Sequence, residues 1–110
     1  MSAVTPSPDD GRLATTLGEA AESGLDDTVT VLLHVRPPPG YDEIDFAFWR
    51  ACRGGHVGSA QILFRHGAQL NRCPPWAEQT PLDAAVAAGA DELAHWLRTL
   101  GGSTAAGLRY

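Results

Sequence analysis

The chain is poor in the groups that advertise chemistry. It has no lysine, only two cysteines and one methionine, and no uninterrupted apolar stretch approaching the length of a membrane span, which takes about 20 consecutive residues. Spanning a bilayer is therefore not expected. Cys52 and Cys73 are too few for a disulfide framework and lack the Cys-x-x-Cys spacing of metal or redox motifs. The first ten residues, Met1 to Asp10, lack the basic start and apolar core of a secretory signal, so a cytoplasmic location is expected. All eight basic residues are arginine, which reflects a GC-rich coding bias and carries no functional weight.

What is present fits one small domain: 110 residues, 44% hydrophobic, 19% charged, net charge −5. Charge is unevenly spread. Residues 1–47 hold Arg12 and Arg36 against nine acids, a net of −7, while residues 48–110 hold six arginines against four acids, a net of +2. An acidic leading half repels phosphates, and the arginines form no dense stripe, so nucleic-acid binding is not expected.

Self-similarity organises the rest. Aligning Gly55 on Gly89 superposes Ala51-Cys52-Arg53-Gly54-Gly55 on Ala85-Val86-Ala87-Ala88-Gly89, and Gly67-Ala68 on Gly101-Gly102. Gly24 enters the same register, preceded by Ala20-Ala21-Glu22-Ser23. Each unit reads as two short helices. In the last, Thr80 is an N-cap, Pro81 takes the first helical position, and Leu93, Trp96, Leu97 and Leu100 form an i, i+3, i+4, i+7 stripe. In the middle unit the helices are expected over 47–53 and 57–66, with the acidic segment before Ala47 as a projecting turn. In the first they are expected over 15–23 and 26–35. No segment shows the period of two that marks a strand.

These segments, above all Thr80-Pro81-Leu82-Asp83-Ala84-Ala85, Gly55-His56 and Gly67-Ala68-Gln69-Leu70-Asn71, resemble the ankyrin repeat. The first unit departs from that pattern, with Thr15-Thr16-Leu17 at its start and Arg36-Pro37-Pro38-Pro39-Gly40 at its end, as suits a terminal repeat. The segments 45–52 and 71–78 are also similar to short bacterial ankyrin proteins. The resemblance implies an all-α solenoid of three helix-turn-helix units with projecting turns, over residues 11–103. The units are about 11–40, 41–73 and 74–103, between a mobile leader 1–10 and tail 104–110.

The resemblance further implies a protein-interaction scaffold or regulatory subunit, whose contacts come from turn tips and the concave ends of the first helices. Here the tips are Asp42, Glu43 and Asp45 in one turn and Trp76, Ala77 and Gln79 in the next. The helix positions include Glu22, Arg53 and Ala87, with Trp49 either adding aromatic surface or thickening a small core. Trp76 is either an exposed anchor or folds back onto the prolines or Trp49. Glu19 and Arg50 stand where the pattern has buried leucine, so an ion pair between them is expected across neighbouring first helices. A second reading is self-assembly, with the acidic front of one copy meeting the basic rear of another in a possible homodimer.

Catalysis is not expected, nor is any metal or cofactor. Cys52 and His56 are four apart, a spacing that suits a thiol–base or metal pair. Gly54 and Gly55 lie between them and break the shared face. His34 and His95 face away from the apolar stripes, and Asp83 is explained as a carboxylate at a helix start.

Overall fold

The computed structural model describes residues 16–108. Among them are seven helices and no strand: α1 (Leu17–Glu22), α2 (Asp26–Leu33), α3 (Tyr41–Gly54), α4 (Val57–Arg65), α5 (Pro81–Ala87), α6 (Asp91–Thr99) and α7 (Ala105–Leu108). The first six pair in sequence, and the leading helices stack α1 on α3 on α5, while α2 lies against α4. The leader 1–10 and Tyr110 lie outside the described residues.

Local chemistry sets where the helices start. Thr16 accepts from the Glu19 amide at 3.1 Å through Oγ1, and its own amide donates to Glu19 Oε1 at 2.9 Å. Thr80 and Asp83 repeat that reciprocal cap at 3.1 Å in both directions. The caps satisfy donors that the first helical turn leaves open. Hydrogen bonding to the Thr16 backbone, then to its hydroxyl, lowers the Glu19 pKa. This cap therefore stabilises the fold above the ordinary carboxylate pKa and is lost as pH falls through the depressed one.

The leading helices stop in the same way three times. Gly24, Gly55 and Gly89 have φ of +73°, +76° and +72°, a region that a side chain strains. The amide that follows each glycine returns to an alanine carbonyl: Leu25 to Ala20 at 2.9 Å, His56 to Ala51 at 2.9 Å and Ala90 to Ala85 at 3.0 Å. This is the paired closure of a helix ending in a left-handed residue. The glycines that define the sequence period thus occupy one backbone geometry.

Small side chains let the leading helices approach. Ala20, Ala21, Ala47, Ala51, Ala84 and Ala85 are buried between them, with Phe48 and Cys52 fully enclosed in α3. Val29, Leu63, Leu93 and Leu97 are buried from the second helices, each worth about 1.5–3 kcal/mol of transfer free energy. The buried stripe of the last unit is narrower than the sequence indicates, since Leu100 is exposed.

Two boundaries differ from expectation. The first helix of the middle pair starts at Tyr41, six residues before Ala47, so Asp42, Glu43 and Asp45 are helical and form no projecting turn. Glu43 Oε1 accepts from the Gly40 amide at 3.0 Å, and acids in a first turn favour the helix dipole. The tail carries α7, tied back where the Ala105 amide donates to Asp83 Oδ2 at 2.8 Å.

Candidate functional site

The segment 72–79 between α4 and α5 is fastened at both ends. At its start, Arg72 Nη1 donates to Asp42 Oδ1 at 2.8 Å and to Asp45 Oδ2 at 3.0 Å. The Asp42 and Asp45 hydrogen bonds push the Arg72 pKa above its ordinary value. Asp45 is buried in α3, and its other oxygen accepts from the Gln69 amide at 2.8 Å. At its end, the Gln79 carbonyl accepts from Trp49 Nε1 at 3.1 Å. Between the fastenings the Ala77 amide closes a turn on the Pro74 carbonyl at 3.1 Å, and Glu78 adopts φ +50°. Two consecutive prolines fix φ and supply no donors, so the turn is stiff.

That turn holds up Trp76, whose surface is 69% exposed. One edge of its ring meets Phe46, with centroids 5.4 Å apart at 75°. Phe46 stacks at 12° on Trp49, 6.1 Å away. The residues 46, 49, 50 and 53 fall on one face of α3, because three- and four-residue steps bring helical side chains together. Arg50 lies 5.5 Å from the Phe46 ring centre and Arg53 5.7 Å from that of Trp49, within cation–π reach.

Trp76 stands as a wall between two hollows. One, of about 200 Å³, lies among Asp42, Asp45, Phe46, Arg72 and Pro75. The other, wider and of about 510 Å³, lies over Ala84, Ala87 and Ala88, with Trp49, Arg53 and Gln79 at its sides. This second groove brings together six residues proposed from sequence: Trp49, Arg53, Trp76, Ala77, Gln79 and Ala87.

The other four lie elsewhere. Asp42 and Asp45 line the smaller hollow and hold Arg72, while Glu43 caps α3. Asp45 is 4% exposed and so cannot offer a carboxylate to a partner. Glu22 pairs with Arg50, Oε1 to Nε at 2.7 Å. An ion pair thus joins neighbouring leading helices, but through Glu22 in place of Glu19, whose carboxylate the Thr16 cap occupies. Both partners are partly solvated, so the pair contributes about 0–1 kcal/mol. Trp49 takes the core alternative: at 4% exposure it supports the groove and adds little aromatic surface. Trp76 does fold back, but onto Phe46, and stays open to solvent.

Sequence reasoning did not find Arg72. The signal was its opposite charge to Asp42 and Asp45, which only the fold brings within reach across 30 and 27 residues.

Cys52 is fully buried, and desolvation pushes its pKa up to about 12. The His56 ring packs beside Gly24 and Gly54. Among the described residues no three His, Cys, Asp or Glu gather as metal ligands. We expect iodoacetamide to leave Cys52 unmodified in the native protein and to label it in urea, read by peptide mass spectrometry. Native labelling would place the thiol outside the core. The same shift makes the contribution of Cys52 to stability complete below pH 9.0 and lost as pH rises toward about 12.

Compared with known proteins, the chain is matched by no family model, no curated protein and no solved structure. No described helix is long and apolar enough to cross a membrane.

Proposed function

We propose that the chain is a protein-interaction module of the ankyrin-repeat kind: three stacked helix pairs that bind a partner protein in the cytoplasm through the groove beside Trp76. The repeated helix ends at Gly24, Gly55 and Gly89, with the stacking of α1, α3 and α5, support the repeat reading. The observation that carries the binding reading is the exposed Trp76 on a turn fastened at both ends. A rigid, exposed aromatic beside a groove is the kind of group that dominates binding energy at protein interfaces. The buried thiol of Cys52 suits a reducing compartment. The module acts by contact, since burial and a raised pKa withdraw Cys52 from nucleophilic chemistry.

Affinity capture from the source cell, with wild type and Trp76→Ala side by side, tests this. Truncating a central aromatic costs about 2 kcal/mol of binding, roughly thirtyfold in affinity. The melting temperature is expected to fall by less than about 5 °C, since only the edge contact with Phe46 is lost. A partner retained equally by both proteins would refute the groove as the binding surface. Sedimentation addresses self-association: a concentration-dependent dimer that persists in the variant would favour assembly instead.

A further inference from the structure

Three arginines surround the aromatic cluster at Trp76, and they differ in how their charge is met. Arg50 is paired with Glu22, and Arg72 with Asp42 and Asp45. Arg53 is exposed and has no ion pair with any described residue. Its guanidinium lies over the Trp49 ring, which orients the group and leaves its N–H donors open. None of the residues lining the wider groove is acidic. In a chain of net charge −5, that groove therefore carries one unanswered positive charge.

Beside Arg53 the floor is Ala84, Ala87 and Ala88, with the Trp76 ring as one wall. The floor is small and apolar, so it leaves room for a bulky side chain from outside. The Gln79 side-chain amide, at the edge, has no hydrogen-bond partner among the described residues. A ligand that answers the floor and the open charge places an apolar side chain on the alanines and a carboxylate on Arg53, whose planar fork matches a carboxylate in two-point contact.

We propose that the wider groove recognises an acidic linear segment of a partner protein, with a bulky apolar side chain seated against Trp76 and an Asp or Glu carboxylate on Arg53. This assignment rests on the interaction-module reading and adds the chemistry of the partner. The acidic front of a second copy of this chain is the competing occupant, which sedimentation of the wild-type protein separates.

The test uses the whole chain and three pools of short fluorescent peptides, each with a central leucine and with flanking residues drawn from Asp and Glu, from Asn and Gln, or from Lys and Arg. Fluorescence polarisation is read for wild type, Arg53→Glu, Arg53→Gln and Trp76→Ala, each first checked by thermal melting. Wild type is expected to bind the acidic pool roughly tenfold tighter than the basic one. Arg53→Glu is expected to invert that order, and Arg53→Gln to abolish it. Trp76→Ala is expected to weaken all pools alike. If charge preference is unchanged in Arg53→Glu while Trp76→Ala still weakens binding, the partner chemistry is wrong and the groove stands. If wild type retains no pool, or Trp76→Ala has no effect, the acidic-segment assignment is overturned. The capture comparison then decides separately whether the groove binds protein. A dimer lost on Arg53→Glu would assign the groove to a second copy and overturn the proposal.

Discussion

Phe48→Ala is expected to remove roughly half of the folding free energy at 25 °C. Phe48 is fully enclosed at the middle of α3, which packs on α1, α4 and α5, and its ring lies 6.2 Å from that of Phe64. Removing a buried phenylalanine costs about 3–5 kcal/mol, combining lost transfer free energy with the cavity left behind. A domain of this size has only about 5–10 kcal/mol in all. The central helix cannot collapse into the void without disturbing neighbours on every side, so the loss should fall at the upper end. Urea unfolding followed by circular dichroism should show a midpoint lower by roughly 2 M or more. A loss under about 1 kcal/mol would mean that α3 is not the shared core of the stack.

Gly54→Ala is the second large effect, and here the sign discriminates. By helix propensity alone, alanine in place of glycine within a helix stabilises by about 1 kcal/mol. Gly54 lies in the last turn of α3, and a methyl group there would press on the Glu22 backbone carbonyl at the end of α1 and on the His56 ring. A backbone atom cannot rotate aside as a side chain can. Overpacking of this kind costs about 1–3 kcal/mol, which outweighs the propensity gain. Net of that gain the loss reaches about 2 kcal/mol, so the melting temperature is expected to drop by up to roughly 10 °C in calorimetry. A rise would show that α1 and α3 stand further apart at this point. The Glu22–Arg50 pair spans the same two helices, so loss of that contact is an accompanying sign.

Much of the helical plan was legible because it depends on local rules. Thr80-Pro81 marked the start of α5, and Gly24, Gly55 and Gly89 marked three helix ends, each set by backbone sterics within a few residues. The start of α3 was not legible. An acidic run reads equally as a solvated turn or as the first turn of a helix, and the choice depended on Asp45 finding Arg72 and the Gln69 amide at long range. The partner of Arg50 was missed by one helical turn, because local capping by Thr16 had already claimed Glu19. Burial of Trp49 likewise depended on a distant group, the Gln79 carbonyl, which satisfies its indole N–H. At the site, sequence spacing placed the segment 72–79 and its Trp76 but could not tell a supporting aromatic from a presented one. Exposure is a property of the packed neighbours, which sequence spacing does not carry.

The double fastening of residues 72–79 has a use outside natural binding. Arg72 and the Gln79 carbonyl clamp the segment to α3, while Pro75 and Trp76 between them are exposed. Pro75 and Trp76 thus stand out from the hydrophobic interior, which Trp76 touches through Phe46 and beside which Ala77 packs. Randomising positions 75 and 76 while keeping both clamps and Ala77 would diversify a recognition tip at little thermodynamic risk, which makes this loop the natural graft point for an engineered binder built on a very small chassis.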